Sequence, residues 1–227
     1  MGVLQFLGHS AFYVEGEGIR ALIDPFLSGN AMASEGPEAR AKLDYIFVTH
    51  AHGDHLGDAP AIAKRTGATV VASNELAAYL AGKGLKTIGM HIGGRSKFPF
   101  GRVKLTPAFH GSSVSEGGHV VCADVPCGFL LEIGGRKIYH AGDTGLTSEM
   151  TLLEAEGVDI ALLPIGGHYV MDTDDAVRAV GFIKPRKTVP MHYGTFPQIE
   201  ANPAEFAAKA AGMTEVVVMK PGDTLPF

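Results

Sequence analysis

Cysteine is scarce in this 227-residue chain: Cys122 and Cys127, in the stretch CADVPC, are the only two. A chain of this size needs no disulfide framework, and two reduced thiols point to a cytoplasmic setting. No run of Lys and Arg exceeds two residues, and 24 acidic against 19 basic residues leave a net charge of −5. That pattern carries no footprint for a long nucleic acid. No apolar run reaches membrane-spanning length, so no membrane association is expected. The opening MGVLQFLGHSAFYVEGEG lacks a basic region followed by a long apolar one, and MGVLQF lacks the Ser or Thr of a myristoylation signal. What is present is an ordinary globular composition, 46% hydrophobic and 19% charged with 30 glycines. This length supports one substantial core, so residues 1–227 are expected to form a single domain.

Short β-rich segments open the chain: VLQFL, AFYVE and IRALI, separated by Gly-containing turns. DYIFVTH then reads as a buried strand. DAPAIAKRTG follows as a helix capped by Asp58, and SNELAAYLAGKG as a helix starting at Ser73, with strand-like ATVVAS between them. In the second half VKLTPAFHG reads as strand then loop, and GFLLEIGGRKIYHAGDTG as a hairpin around Gly134-Gly135. DIALLPIGG, TVPMHYG and EVVVMKPG read as strands interleaved with helices at 148–156, 173–183 and 203–211, an α/β pattern. AFYVEGEGIRALIDPFLSG and GFLLEIGGRKIYHAGDTGL echo each other as strand, Gly turn, strand, then Asp, suggesting two similar halves with Asp24 and Asp143 on one rim.

Between Val48 and Ala59 stands VTHAHGDHLGDA, with three histidines and two aspartates inside nine positions. In an extended segment His50, His52 and Asp54 share a face, and a turn into the following helix swings His55 toward the same point. Chance alone places three His and an Asp at these offsets on the order of once in a thousand such chains. Structural zinc normally draws on cysteine, and neither Cys lies nearby in sequence, so a His-carboxylate site with places left for water suits catalysis better. His110 in AFHGSS, Asp143 in HAGDTG and His192 in MHYG each sit where a strand meets a Gly-marked loop, the place where open α/β architectures put their chemistry.

THAHGDH followed by His110, GDTG and MHYG resembles the metallo-β-lactamase superfamily through nearly the whole chain. FLGHSAF, LIDPFLSGN, YHAGDTG and PIGGHYVMD more narrowly resemble its small bacterial metal-dependent hydrolases, related to sugar-lactone lactonases and N-acyl phosphatidylethanolamine phospholipase D. The resemblance implies a four-layer αββα sandwich with a two-metal site on one rim. Carried over by position, it implies that His50, His52 and His110 hold one cation, that Asp54, His55 and His192 hold a second, and that Asp143 bridges them. Zinc is the default cation for such ligands, and Mn, Fe or Ni suit them too. A cation pair about 3.5–4 Å apart would lower the pKa of a bridging water from 15.7 to roughly 7, giving hydroxide at neutral pH. Asp54 would orient that nucleophile and accept its proton.

Asp24 ends RALID, placed either to hydrogen-bond a ligand histidine or to cap backbone N–H groups before Pro25. His9 and His140 read as packed or supporting histidines, and His91 and His119 as solvated. His119, Cys122 and Cys127 match no standard metal spacing. His168, after Gly166-Gly167, is a catalytic candidate able to protonate a leaving group. The expectation is a dinuclear hydrolase acting on a small ester, lactone or phosphodiester, with specificity in loops 24–41 and 91–101; a homo-oligomer is left open. The rivals are an iron-dependent redox enzyme on the same fold, which predicts bound iron and oxygen or persulfide chemistry, and a metal-stabilised interaction module.

Overall fold

Period-two alternation decides which layer each strand feeds. The computed structural model describes residues 2–227. Its first half runs β1 (Val3–Gly8), β2 (Ala11–Gly16), β3 (Ile19–Ile23), β4 (Tyr45–Phe47), α1 (Gly53–Leu56), α2 (Ala59–Thr66), β5 (Thr69–Ser73), α3 (Asn74–Gly82) and β6 (Thr87–Met90). The second runs β7 (Arg95–Phe98), β8 (Gly101–Pro107), β9 (Ser113–Glu116), β10 (His119–Ala123), β11 (Cys127–Ile133) and β12 (Arg136–His140). A 3₁₀ helix at Ser148–Glu156 follows, then β13 (Ile160–Pro164), α4 (Thr173–Ile183), β14 (Lys187–Met191), α5 (Pro203–Lys209), β15 (Glu215–Val216) and β16 (Thr224–Pro226).

Two seven-stranded sheets result, in the orders β16-β1-β2-β3-β4-β5-β6 and β15-β14-β13-β12-β11-β8-β7. In β2, Phe12 and Val14 face the second sheet while Ala11 and Tyr13 face outward; in β13, Ile160 and Leu162 face inward while Ala161 and Leu163 face outward. The inward residues meet between the sheets, where Phe47 and Phe129 lie edge-on at 5.3 Å. Each such fully buried side chain contributes about 1.5–3 kcal/mol. Outward residues of the first sheet pack against α2 and α3, through Ile62, Leu76 and Leu80. Those of the second pack against the 3₁₀ helix, α4 and α5, through Met150, Val180 and Phe206. Helix, sheet, sheet, helix is the four-layer αββα sandwich of the metallo-β-lactamase fold.

The echo in the sequence is a real repeat of architecture. β2 and β3 occupy the third and fourth places of the first sheet, β11 and β12 the corresponding places of the second, and each pair leads into three parallel strands. Parallel strands end on the same edge, so Asp24 after β3 and Asp143 after β12 come to a common rim.

Several local expectations are corrected. Asp58 does not cap α2 with its side chain; its Oδ2 accepts from the backbone N–H groups of Leu27 (3.0 Å) and Ser28 (2.7 Å), tying down the loop after β3. α3 does start from Ser73, which stands at its N-cap, and the Ser73 hydroxyl donates to Asp124 (2.8 Å). Residues 148–156 wind as 3₁₀, and the strand expected over EVVVMKPG is only the two residues of β15. Residues 95–101 are not a loop: β7 hairpins onto β8 with Phe98 opposite Gly101, at the start of β8 and away from the rim that β8 reaches near His110, while residues 91–94 turn beside Leu105.

Candidate metal centre

Every residue of the cluster follows the C-terminal end of a strand or a turn beside one. His9 lies in the β1–β2 turn, Asp24 follows β3, His50 to His55 follow β4, and His110 follows β8. Asp143 follows β12, and His192 follows β14. The path from β4 differs from the extended one expected, since β4 stops at Phe47 and Asp54 and His55 ride the single turn of α1, with extended His52 as its N-cap. Four rim residues other than glycine have left-handed backbone: His9 (φ 59), Asp24 (φ 45), His168 (φ 56) and His192 (φ 56). Such conformations cost about 1–3 kcal/mol each and persist where surrounding structure holds them. His9 and His192 are held together, His192 N–H donating to His9 C=O at 2.9 Å. Gly142 (φ 64) lets the chain turn before Asp143, because a Cβ there would lie 2.7 Å from the Cys127 carbonyl oxygen.

Asp143 is the centre of the arrangement. Its carboxylate lies 3.0 Å from His192 Nε2, 3.1 Å from His55 Nε2, 3.5 Å from His110 Nε2 and 4.0 Å from His50 Nε2. Around it the donors fall into two groups close enough to share an ion. One is His50, His52 and His110; the other is Asp54, His55 and His192, joined by His9. His50, His55 and Asp143 form a third set spanning the first two. Buried His55 Nε2, His192 Nε2 and Asp143 Oδ1 are near one another yet make no hydrogen bond of good geometry. Buried polar atoms are rarely left so. Atoms that crowd together without pointing at one another are placed to face a common cation, so the residues fit a metal.

The supporting contacts fix ring orientation. His55 Nδ1–H donates to Asp24 Oδ2 at 2.7 Å, which turns its Nε2 toward Asp143. Asp24 also accepts from Thr49 N–H (2.8 Å) and Thr49 Oγ1 (2.7 Å), so it does both jobs expected of it, supporting a histidine and capping backbone. His9 Nε2 faces Asp54 Oδ2 at 3.4 Å, its Nδ1 meets Thr195 Oγ1 at 2.9 Å, and its ring packs 4.1 Å from that of His192. His140 is structural: one ring nitrogen bonds the Ser10 carbonyl (2.9 Å) and the other accepts from Gly142 N–H (3.1 Å), joining the two sheets.

Burial, reinforced by neighbouring imidazoles, keeps His50 neutral, and burial pushes His9 down to about 4 against the pull of Asp54. Burial alone would raise the carboxyls of Asp54 and Asp143, but the imidazoles outweigh it and hold both below the usual range: His9 and His55 around Asp54, His55 and His192 around Asp143. Burial opposes charge on His55 as well, yet the two carboxylates of Asp143 and Asp24 flanking it raise it well above 6.5. A proton on His55 Nε2 occupies the place a cation would take. Metal loading near pH 7 is therefore expected to release about one proton from this residue, and affinity is expected to fall as pH drops through the raised pKa of His55 and to keep falling below it. Titration calorimetry in buffers of different ionisation enthalpy checks this; buffer-independent heats would exclude it.

Beside the cluster opens a cavity of about 330 Å³. His52, Asp54, His110, Asp143 and His192 form one wall, and Tyr169, Phe196 and Gln198 the other. Of the Gly166-Gly167-His168-Tyr169 turn it is Tyr169 that reaches the cavity. His168 is exposed and packs edge-on to Tyr169 at 4.4 Å, tied to the cluster by no hydrogen bond or ion pair among the described residues. His91 and His119 are exposed, as read from the sequence. Cys127 is fully buried between the sheets, its thiol pushed up by burial, and Cys122 is half-buried; both are free. Neither joins a metal-capable group among the described residues. Tyr169, Phe196 and Gln198 are the site members that local pattern did not single out, and His9, read as a packed or supporting histidine, stands among the donors of the second group.

Residues 19–193 match the family model described as the Beta-lactamase superfamily domain. That class is the one the sandwich and its His/Asp rim define. Within it, a metal-dependent hydrolase of the UPF0173 family from Carboxydothermus hydrogenoformans is 50% identical over 222 residues, covering 97% of both chains. One from Alkaliphilus metalliredigens is 50% identical over 203 residues, 89% of this chain and 90% of its own. The chain belongs to the UPF0173 family of metal-dependent hydrolases. Among solved structures, a metallo hydrolase from the archaeon Ignicoccus hospitalis superposes with a TM-score of 0.91 at 41% identity, covering 100% of this chain and 99% of that one. No helix among the described residues is long and apolar enough to cross a membrane.

Proposed function

We propose that the rim cluster holds two divalent cations, most suitably zinc, and that the protein hydrolyses a small ester, lactone or phosphodiester. The carrying observation is the set of buried, unbonded Nε2 and Oδ1 atoms of His55, His192 and Asp143 converging beside a solvent-reached cavity. His50, His52 and His110 would hold one ion, Asp54, His55 and His192 the other, with Asp143 between. Bound there, such ions supply an activated water and polarise the carbonyl or phosphoryl oxygen under attack.

The protein's own contributions follow from position. Asp54, ionised and on the cavity wall, orients the attacking water through Oδ2 and takes its proton in passing; His9 behind it limits its rotation. Asp24 keeps the His55 ring turned to the centre. Tyr169, Phe196 and Gln198 form the opposite wall and bound the space open to a substrate. The free thiols of Cys122 and Cys127 suit a reducing cytoplasm.

Elemental analysis beside a hydrolysis panel of esters, lactones and phosphodiesters tests this. Close to two ions per chain are expected, with His52→Ala and Asp54→Ala lowering turnover by at least about 10²-fold. Unchanged turnover in both variants would defeat the assignment.

A further inference from the structure

The wall of the cavity opposite the cluster has a composition of its own. It is built from two loops, the turn after β13 that carries Tyr169 and the segment after β14 that carries Phe196 and Gln198. Phe196 is anchored from behind: its ring stacks on Phe26 at 6.3 Å with 30° between planes, and His9 meets it edge-on at 5.6 Å. Tyr169 is 53% exposed, with the His168 ring packed edge-on against it. Gln198 is exposed and brings an amide, one acceptor and two donor hydrogens.

No Lys or Arg lines the cavity among the described residues. Sites that recognise phosphate or carboxylate groups beyond the reacting atoms usually present an Arg fork, a Lys or the N-terminus of a helix. The recognition wall here offers two π faces, a phenol and a neutral amide. Such a surface gains by burying flat or apolar area and by stacking, and gives nothing to compensate the desolvation of a second anionic group. At about 330 Å³ the space lies at the small end of ligand sites, which limits the occupant to something near one ring or a short chain.

From this we infer that the substrate is an uncharged carboxylic ester or lactone bearing an aromatic or apolar substituent, and that Tyr169 and Phe196 receive that substituent while Gln198 hydrogen-bonds its polar edge. The inference rests on the hydrolytic reading above and narrows it away from phosphodiesters and from esters that carry a carboxylate. Hydrolysis proceeds as ordinary acyl transfer to water: a bond from water oxygen to the acyl carbon forms, the acyl–oxygen bond breaks, and the freed oxygen takes the proton that Asp54 received from the water, leaving as an alcohol from an ester or remaining as a hydroxyl on the opened chain of a lactone.

The test uses metal-loaded protein and two matched series. Turnover is compared for a phenyl ester, a phenyl-substituted lactone, the same ester carrying a carboxylate on its ring, and bis(4-nitrophenyl) phosphate. Binding of two compounds that are not esters, phenylacetamide and phenyl phosphonate, is measured by calorimetry. Neutral aryl substrates are expected to exceed the anionic ones at least tenfold in kcat/KM, and phenylacetamide to bind. Tyr169→Ala should cut that preference about tenfold, mainly through KM, and Tyr169→Phe should keep most of it. Preference for the phosphodiester or the carboxylate ester, or a ratio untouched by Tyr169→Ala, overturns the inference while leaving a hydrolase. Tyr169-dependent binding of phenylacetamide with no turnover of any substrate supports the recognition wall and sinks the hydrolytic reading instead. Absence of both binding and aryl turnover overturns the inference.

Discussion

Asp143→Asn is expected to lower metal content and to lower hydrolysis by about 10³-fold, the equivalent of about 4 kcal/mol of lost transition-state stabilisation. The size follows from the residue's position, since no other carboxylate among the described residues lies within 4.0 Å of the ring nitrogens of all four histidines His50, His55, His110 and His192. Asn keeps the shape and removes the charge. It also turns one oxygen into an NH₂ that must face a ring nitrogen or a cation, so neither group of donors retains its shared anionic partner. Without metal, His55 keeps only Asp24 as counter-charge and its imidazolium becomes less favourable. Metal content by elemental analysis and turnover on the same preparation check the expectation. Two ions per chain together with near-normal turnover would show that Asp143 is not central to the site.

Much of this centre is legible in the sequence for a physical reason. His50, His52, Asp54 and His55 are neighbours in the chain, and any compact path out of β4 brings them together, even though the actual path is a helical turn rather than an extended run. His110, Asp143 and His192 are separated in sequence, but each follows a strand, and strands of one sheet that end on one edge deliver them to one rim. The echo between the two halves is legible for the same reason. It forecasts that Asp24 and Asp143 stand at equivalent places, and they flank a single imidazole, His55, at 2.7 and 3.1 Å.

What the sequence hides depends on long-range geometry. His9 joins Asp54 and His192 only because a left-handed residue in the β1–β2 turn pairs its backbone with a residue more than 180 positions later. The choice of Tyr169 over His168 is set by the left-handed backbone at Gly167 and His168, which turns the second ring rather than the first toward the cavity. The β9–β10 hairpin escapes a periodicity reading because Val120 (63%) and Val121 (47%) are both exposed, leaving no alternation between a buried and a solvated face. β7, with the sequence RSKF, is charged and exposed for most of its length, and its strand character comes from pairing with β8.

Asp24 gives the second large effect, and a more discriminating one, because it reaches the centre only through supporting contacts, directly to His55 and by way of Thr49, whose Oγ1 meets His50 Nδ1 at 3.0 Å. It is fully buried and accepts three hydrogen bonds, from Thr49 N–H, Thr49 Oγ1 and His55 Nδ1. Asp24→Asn leaves an amide NH₂ facing at least one of those donors, and each buried donor so orphaned costs about 1–3 kcal/mol. Freed from its anchor, the His55 ring can rotate or shift its tautomer, so its Nε2 lone pair no longer points steadily at Asp143. Supporting contacts of this kind are worth roughly 10–100-fold in metal affinity. The expected result is therefore double: a lower melting temperature in excess chelator, and an affinity for added zinc weakened by about 10–100-fold in competition titrations. A variant that melts early yet binds zinc with unchanged affinity would make Asp24 a backbone cap alone, with His55 held by Asp143 and its own packing. Weaker zinc binding with melting in chelator untouched would place its whole contribution on the orientation of the His55 and His50 rings.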